Sequence, residues 1–544
     1  MIFSGHSIFC VIIVSRMGKI AKYLNQLIVG NVYDAPEILD AYSTDRSVLK
    51  VKPKAVALPE STEDVCKLMQ FCFQLAKKNI KVPVTVRGSG LDESGADIGN
   101  GVIISTEKMN RLLESDKRER LVRVQAGITL KELNTALSIN GLTVPIGGHE
   151  METIGGLISN CPVDSYAGKY GGIFNYVERI EFVLPNGDIV QTNRVGEHGM
   201  AKIITEKTLE GEIYEKLKQT IKTNEVLIRE IGKTGHSSYG YPMIAHASKG
   251  ESIDLMPLLF KAQGTLGIIT EVILRAVPME GKASRVIMTS DKYETAQKFL
   301  EVLTTFNPRE INIYDYRIPK AVEESGKKLG EITRKLDGGF VVSAKFDQGN
   351  KKCMKKLASM EKVLPRGSRL IVESDKTKKA LDEFDNSLFS FLNQIRVGER
   401  VPMVTDFYIP PENLGNFIND LTVMEKSLKM ELALFGSYQT NNYSLRPKFD
   451  VTADDFTKKA VTFLRASNFV IKRQGGSITG GSPEGRIKAI ITNETMPEFE
   501  KNLYYDIKNI FDEYGILNPA IKLGTDARFT LDHFRSTSSI VSVL

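Results

Sequence analysis

Three glycine-rich stretches constrain this chain more than any other feature, because glycine gathers where a backbone turns tightly or approaches a ligand. The first, Arg87-Gly88-Ser89-Gly90-Leu91-Asp92-Glu93-Ser94-Gly95, follows a β-rich run at 82–86, and the others are residues 153–160 and 167–172. Backbone N–H groups in such loops can surround an anion. The glycine spacing of the first stretch differs from the GxGxxG fingerprint of dinucleotide-binding βαβ units, so an NAD site is not indicated.

Length and charge limit the classes of protein that the chain can belong to. Its 544 residues exceed one ordinary hydrophobic core, so two or more domains are expected. The formal net charge is +6, and basic residues alternate with acidic ones, as at 115–120, so no nucleic-acid-binding patch is indicated. The five cysteines show no CxxC or other metal-binding spacing, which argues against an iron–sulfur cluster and a zinc site. We therefore predict no metal and a reducing, cytoplasmic setting.

The first residues need a separate interpretation. Residues 2–15 are apolar but fall short of the roughly 20 residues of a membrane-spanning helix, and no Lys or Arg precedes the run as in a secretory signal. We interpret residues 1–16 as a mis-assigned start upstream of Met17, and a weak membrane-surface anchor is the alternative. No transmembrane segment is predicted, and a peripheral contact with the membrane stays open.

Sequence texture divides the rest of the chain. Residues 17–50 are predicted to form a helical lead-in, and 51–280 to form a first domain with the Asn186-Gly187 hairpin signal. At 281–500, strand candidates alternate with amphipathic helices, which predicts an antiparallel sheet backed by helices. The expected strands are 284–288, 311–315, 339–346, 403–409 and 431–437. Residues 501–544 are predicted to return to the first domain.

The order of motifs in the first domain resembles a known family. The motifs are RGSGL at 87–91, AGITLKEL at 126–133, TIGGLISN at 153–160, KYG at 169–171, VLPNG at 183–187 and QGTLGIIT at 263–270. This order is similar to that of the PCMH-type FAD-binding domain of the vanillyl-alcohol-oxidase superfamily, nearest the D-lactate dehydrogenase and glycolate-oxidase flavoprotein group. The resemblance implies an α+β fold, with a two-lobed PCMH-type FAD-binding domain and an inserted α/β (ferredoxin-like) cap domain.

The same resemblance implies which residues bind FAD. Some members tether the flavin to a histidine where this chain has Leu91, so the FAD is expected to be non-covalent. The implied cofactor-binding residues are Arg87, Gly88, Ser89, Gly90, Leu91, Ser94, Gly95, Thr153, Gly155, Gly156, Ser159, Asn160, Tyr170, Gly171, Gly267, Ile268 and Ile269.

The cap departs from the family pattern. Relatives carry GHxGxGNxH and GGxxxGEHGxG motifs whose histidines supply a base and metal or substrate ligands, but residues 436–444 and 475–486 contain no histidine. A histidine base in the cap is therefore excluded. Tyr438, Tyr443 and Glu484 are candidate replacements, and Arg446 and Arg486 could activate a phenol or bind a carboxylate. For each of these residues, a purely structural role is the alternative.

These observations predict an FAD-dependent oxidoreductase that takes a hydride from an alcohol or hydroxy-acid substrate onto flavin N5. One alternative is a 2-hydroxy-acid dehydrogenase, D-lactate- or glycolate-like, with a non-histidine base. Another is a catalytically lapsed flavin-binding module for electron transfer or interaction. The expected partners are a small-molecule substrate and a separate electron acceptor, which could be a quinone, a protein or oxygen, with no nucleic acid.

Overall fold

The computed structural model describes residues 18–235, 239–327, 329, 332, 338–347, 351–361, 364–392, 400–451, 453–524 and 526–535. The interpretation of residues 1–16 lies outside these residues. The lead-in region contains the helices Lys19–Leu27 and Pro36–Ala41, and between them the strand Asn31–Tyr33 joins the first sheet.

The first sheet, which we call the N-terminal sheet, has four strands in the order Asn31–Tyr33, Ala55–Leu58, Val102–Ser105 and Val84–Arg87. The last three run parallel. The helix Thr62–Lys77 connects two of them and begins at Ser61, whose hydroxyl accepts a hydrogen bond from the Asp64 amide. Val84 also forms a parallel bridge with Leu517, so a C-terminal segment lies beside this sheet.

The second sheet, the central sheet, is antiparallel and has five strands. Their order is Leu112–Asp116, Leu121–Gln125, Ile268–Arg275, Val177–Val183 and Ile189–Gln191. The predicted Asn-Gly hairpin joins the strands Val177–Val183 and Ile189–Gln191, and Gly187 has a φ of 89° that favours glycine. The helix Leu130–Ser138 begins with a capping box formed by Thr129 and Glu132.

A seven-stranded antiparallel sheet, which we call the large sheet, is built from 284–447. Its order is Ser368–Val372, Ser284–Ser290, Phe340–Phe346, Glu310–Asp315, Leu432–Ser437, Asn442–Pro447 and Val404–Tyr408. The antiparallel sheet that the alternating pattern predicted is confirmed by these pairings. Two of its strands, Ser368–Val372 and Asn442–Pro447, were not predicted from the sequence.

Helices and short strands complete the described structure. The helices of the first part are Ile154–Asn160, Ala167–Tyr170, Glu197–Thr205, Leu209–Thr223, Glu225–Thr234 and Met256–Leu259. Those of the second part are Tyr293–Thr304, Arg317–Glu324, Lys351–Met360, Lys378–Leu392, Leu414–Leu428, Phe456–Arg473, Ala489–Thr495, Glu498–Phe511 and Ala527–Asp532. The short strands are Leu142–Thr143, Arg194–Val195, Ser248–Lys249, Ser252–Asp254 and Val277–Pro278. Within the described ranges, no helix is both long enough and apolar enough to span a bilayer.

Charged contacts join the large sheet to the FAD-motif region. Asp347, at the end of the strand Phe340–Phe346, accepts hydrogen bonds from Lys169, from the Tyr170 hydroxyl at 2.6 Å and from Arg309 at 2.5 Å. Ser165 donates to Glu310 at 2.8 Å in the same interface. The large sheet is therefore held against the segment 165–170, and the two regions enclose a cavity between them.

Candidate functional site

The cavity has a volume of about 440 Å³, which is within the usual range for small-molecule sites. One wall, which we call the glycine wall, is formed by residues from the segments 86–97, 147–165 and 263–269. The opposite wall, the sheet wall, consists of Asn312, Tyr314, Thr405, Asp406, Phe435, Gly436, Ser437, Asn442, Ser444, Arg446, Ser482 and Pro483. Different regions of the sequence therefore contribute the two walls.

Close backbone approach shapes the glycine wall. A Cβ atom on Gly88 would lie 2.2 Å from Thr153 Oγ1, and a Cβ atom on Gly155 would lie 2.9 Å from the Ala126 Cβ. Gly90 has a φ of 73° and packs over the Arg87 guanidinium. Because side chains at these positions would fill the space between the segments, glycine is what allows this wall to form.

Asp92 fixes the first glycine-rich loop. Its Oδ2 accepts hydrogen bonds from the Ser94 amide, the Ser94 hydroxyl and the Ala96 amide at 2.7–2.9 Å. Its Oδ1 accepts from Asn160 Nδ2 at 3.0 Å, which ties the loop to the helix Ile154–Asn160. The loop is thus held in one conformation by a side chain that sequence reasoning did not select.

Gln263 connects three segments behind the glycine wall. Its Nε2 donates to Asn160 Oδ1 at 3.1 Å, and its Oε1 accepts from the Gly485 amide at 3.0 Å. Asn518 Nδ2 donates to the Gln263 carbonyl at 2.8 Å. Gln263 begins the QGTLGIIT motif, and this was the available signal for finding it. The partnerships with 485 and 518 had no sequence signal.

Most of the implied cofactor-binding residues line the cavity. Those that do so are Gly88, Ser89, Gly90, Leu91, Ser94, Thr153, Gly155, Gly156, Ser159, Asn160, Gly267 and Ile269. Five others do not line it, namely Arg87, Gly95, Tyr170, Gly171 and Ile268. The assignment of all these residues to FAD stays a prediction.

The five outlying residues have other contacts. Arg87 lies behind the loop, where it donates to the Thr44 carbonyl at 2.8 Å. Gly95 has a φ of 79° and packs against Leu49, and Gly171 has a φ of 77° and packs against Asn175. Ile268 is fully buried in the core beneath the N-terminal sheet. Tyr170 bonds to Asp347 across the interface described above.

Serine and asparagine side chains from the two segments that lack histidines, 436–444 and 475–486, occupy the sheet wall. Ser437, Asn442, Ser444 and Ser482 all line the cavity. Ser437 Oγ and Asn442 Oδ1 are buried without a hydrogen-bond partner in the described part of the chain. Buried polar atoms of this kind usually have a partner, so these two atoms point to a polar ligand or water.

Two arginines in the cavity share one carboxylate. Arg46 Nη2 and Arg446 Nη2 donate to Glu93 Oε1 at 2.8 and 2.9 Å. Burial opposes ionisation of Glu93, but Arg446 and Arg46 outweigh that penalty and hold its pKa below the usual value. The Nε atoms of both arginines are buried with no partner among the described residues. Because two cations share one anion, this group retains one net positive charge.

The other candidate catalytic residues lie outside the cavity. Tyr443 is fully buried in the core of the large sheet, and burial raises the pKa of its phenol well above its usual value. The side chain of Tyr438 packs against the same core. Arg486 donates to the Ile98 carbonyl at 3.0 Å, and Glu484 is paired with Lys522 at 2.6 Å in a fully buried ion pair. Of the candidates, only Arg446 reaches the cavity, and their catalytic roles stay predictions.

Several titratable groups of the cavity were not selected from the sequence. Burial raises the pKa of Glu152 to about 7 and that of Asp164 to about 6. Burial also lowers the pKa of His149, whose Nδ1 accepts from the Met151 amide at 3.0 Å. Asp406 in the sheet wall likewise has a pKa raised by burial. Among the described residues, no cluster of His, Cys, Asp and Glu could hold a metal ion.

The glycine wall fits the pyrophosphate of a flavin nucleotide. In the described structure, the amide N–H groups of Ser89, Gly90 and Leu91 donate to no other part of the chain. These donors line the cavity, and the nearby glycines leave room for close approach of an anion. A dianionic pyrophosphate needs several backbone donors of this kind.

Comparison with known families agrees with this geometry. Residues 53–193 match the FAD binding domain family, and residues 304–521 match the family described as FAD linked oxidases, C-terminal domain. The first match contains most of the glycine wall, and the second contains the whole sheet wall.

Curated relatives are similar over most of this chain. A D-2-hydroxyglutarate dehydrogenase of Pantoea ananatis is 24% identical over 502 residues, covering 88% of this chain and 48% of that protein. A D-lactate dehydrogenase of Archaeoglobus fulgidus is 26% identical over 494 residues, covering 88% of this chain and 95% of that protein. The chain therefore spans about half the length of the first relative and nearly all of the second.

Solved structures share the fold at low identity. The 4-ethylphenol oxidase from Gulosibacter chungangensis superposes with a TM-score of 0.64 at 14% identity, covering 97% of this chain and 99% of that one. An alkyldihydroxyacetonephosphate synthase superposes with a TM-score of 0.59 at 16% identity, covering 95% and 85%. The resemblance and the FAD cofactor inferred from the motifs are confirmed by these matches, and the chain belongs to the FAD-linked oxidoreductases.

Proposed function

We propose that this FAD-linked oxidoreductase dehydrogenates a small hydroxylated carboxylic acid bound between the two walls of the cavity. The observation that carries this proposal is the Arg46–Glu93–Arg446 group at the cavity, in which two guanidinium groups share one carboxylate and keep one net positive charge. A planar guanidinium binds a carboxylate better than it binds a neutral hydroxyl group. The relatives named as dehydrogenases of D-lactate and D-2-hydroxyglutarate support the same substrate class.

We assign the large sheet as the cap of the enzyme and the glycine wall as the FAD-binding side. Ser89, Gly90 and Leu91 would bind the pyrophosphate through their amide groups, with Asp92 holding the loop in place. Bound FAD supplies the two-electron oxidant that accepts a hydride from the substrate carbon. The sheet wall binds and orients the substrate and excludes water from it.

We propose further that FAD is held without a covalent bond. Leu91 lines the cavity at the position where some superfamily members place a tethering histidine, and its side chain offers no nucleophile. Burial raises the pKa of the nearby Cys161 thiol to about 11, so this cysteine is a poor nucleophile near neutral pH. Acid precipitation of the purified protein should release FAD into the supernatant, and flavin retained in the pellet would contradict this proposal.

The substrate class is tested by anaerobic reduction of the flavin, which is measured as the loss of its visible absorbance. Short 2-hydroxy acids should reduce it, whereas the matching alcohols without a carboxylate should do so at least tenfold less efficiently in kcat/KM. Arg446→Gln should raise KM for the acid by about 10- to 100-fold, since a hydrogen bond to a charged group contributes roughly 1.5–3 kcal/mol. Arg465→Gln, which removes an exposed guanidinium that pairs with Glu494, is the matched control.

Either of two results would contradict the proposed substrate class. Equal reduction by acids and alcohols would show that no carboxylate subsite operates. A flavin that dithionite reduces but no small molecule reduces would favour the electron-transfer or interaction module. The subsequent electron acceptor, a quinone, a protein or oxygen, would be identified by reoxidising the reduced protein with each in turn.

A further inference from the structure

Asp406 lies in the sheet wall in a backbone conformation that is unusual for a strand. Its φ is 53°, and the pairing of its strand with Asn442–Pro447 shifts register between Val404 and Phe407. The Asp406 amide donates to Ser444 Oγ at 3.1 Å, and its carbonyl accepts from the Gly481 amide at 2.7 Å. Left-handed residues and bulges of this kind cluster at functional sites, where the surrounding structure holds them in place.

The strand opposite Asp406 presents its polar side chains to the same space. Asn442, Ser444 and Arg446 alternate along their strand and all line the cavity, whereas Tyr443 and Leu445 between them lie in the core. This alternation follows from the two-residue period of a strand. Asp406, bonded through its amide to Ser444, therefore lies on the same wall as the arginine proposed to bind the carboxylate.

A glycine brings Asp406 close to Asn442, whose Oδ1 is buried without a hydrogen-bond partner among the described residues. A Cβ atom on Gly481 would lie 2.6 Å from Asn442 Oδ1 and 2.9 Å from the Asp406 Cβ. Any side chain at 481 would separate the two residues. Glycine at 481 therefore allows the close approach of Asp406 and Asn442.

Charged groups from several segments face Asp406. Lys488 is buried, and its Nζ donates to the Thr405 carbonyl at 3.0 Å and to Ser482 Oγ at 2.9 Å. Burial raises the pKa of Asp406, and Lys488 and Arg446 oppose that rise while Glu93 adds to it. Glu152 faces the same space from the glycine wall. The carboxylate thus has a buried cation beside it that stabilises its ionised form.

We propose that the Asp406 carboxylate is the proton acceptor for the substrate hydroxyl, in place of the histidine base of the relatives. This inference rests on the proposed oxidation of a hydroxylated acid. The substrate O–H bond breaks and its proton goes to an Asp406 carboxylate oxygen. The electron pair left on that oxygen forms the C=O bond, while the C–H bonding pair leaves with its hydrogen to the FAD oxidant. Lys488 is a positioning residue that holds Ser482 and Thr405 around the carboxylate.

The first test separates proton abstraction from binding. In Asp406→Asn, the rate of anaerobic flavin reduction by the hydroxy acid should fall by at least about 100-fold, the usual size of general-base effects. The dissociation constant of the acid, measured by calorimetry, should stay within about threefold because Arg446 is intact. Asp455→Asn, which removes an exposed carboxylate paired with Lys459, is the control. Asp406→Glu, which keeps the acid, should fall between the two.

A second test uses pH dependence, which a merely structural aspartate would affect differently. In the wild type, kcat/KM should rise with pH as Asp406 ionises, at a pH above the usual range of aspartates, and Asp406→Asn should lack this limb. Asparagine tolerates the left-handed conformation, so the variant should keep the wild-type fold, which circular dichroism would check.

Three outcomes would overturn the inference. In the first, flavin reduction in Asp406→Asn stays within tenfold of the wild-type rate. In the second, the acidic limb of the pH profile persists in that variant. In the third, Glu152→Gln instead of Asp406→Asn shows both the slower reduction and the missing limb. A wild type that acids reduce, together with a fully active Asp406→Asn, would overturn this inference alone. A wild type that no hydroxy acid reduces would overturn the proposed function as well.

Discussion

The two walls of the cavity use different chemistry. The glycine wall offers backbone N–H groups, and its shape depends on residues that lack a Cβ atom, such as Gly88 and Gly155. The sheet wall offers side chains, among them Arg446, Asp406 and Asn442. A cofactor that is the same throughout a family can be bound by backbone groups, whereas a substrate that changes between members requires side chains that can be replaced. The presence of the glycine motifs together with sheet-wall segments 436–444 and 475–486 that contain no histidine follows this division.

The largest expected effect comes from the residue that joins the walls, Glu93. In Glu93→Gln, the guanidinium groups of Arg46 and Arg446 lose their shared carboxylate while staying buried. Breaking a buried ion pair in this way costs about 3–5 kcal/mol, so the urea midpoint of unfolding should fall clearly. Glu114→Gln, which removes an exposed partner of Arg123, should leave the midpoint almost unchanged. Equal midpoints for both variants would mean that the walls are energetically independent.

The next effect tests the glycine wall alone. Gly88→Ala introduces a Cβ atom 2.2 Å from Thr153 Oγ1, which caps the helix Ile154–Asn160. Overpacking of this kind costs about 1–3 kcal/mol, so FAD affinity should fall by about 5- to 150-fold, measured by fluorescence titration of the flavin. Gly196→Ala is the control, since no atom lies within 4 Å of a Cβ built there. Unchanged FAD affinity in Gly88→Ala would remove Gly88 from the cofactor site.

The smallest expected effect is on the pH dependence of stability, and it concerns Glu152 in the glycine wall. Burial raises the pKa of Glu152 from 4.5 to about 7, so the folded state holds this proton more tightly than the unfolded state does. Stability from this group is therefore present below pH 4.5 and is lost as pH rises through 7. The melting temperature of Glu152→Gln minus that of the wild type should therefore be higher at pH 8.5 than at pH 5.5. A difference between the two proteins that does not change with pH would contradict the raised pKa.

Local patterns allowed much of the fold to be predicted. The alternation at 281–500 predicted strands that lie within one or two residues of Ser284–Ser290, Glu310–Asp315 and Leu432–Ser437. The strand Asn442–Pro447 was missed because its residues, including Pro447 and Arg446, have a polar, irregular composition. They form a strand because Tyr443 and Leu445 fill the core on one face while the cavity accepts polar groups on the other.

The site could be predicted only where one segment contains it. Gly88, Ser89 and Gly90 are neighbours in sequence, so their loop carries its own signal. Arg46, Glu93 and Arg446 meet only in the folded chain, and neither their spacing nor their residue types indicated a shared contact. Asp406 was overlooked for a related reason, since its backbone conformation depends on the pairing of its strand with Ser444 and Gly481.

The contact between the strand Val84–Arg87 and the segment around Leu517 has a consequence for biosynthesis. The Val84 amide bonds to the Ile516 carbonyl at 2.8 Å, and Asn518 Nδ2 bonds to the Ala96 carbonyl at 2.7 Å. A nascent chain emerges from the ribosome N-terminus first, so the glycine wall lacks these supports until more than four hundred further residues have been made. The loop that is translated early becomes rigid late. We therefore expect tight flavin capture to follow translation of the Leu517 segment, and ribosome-bound chains stalled before it should hold FAD weakly.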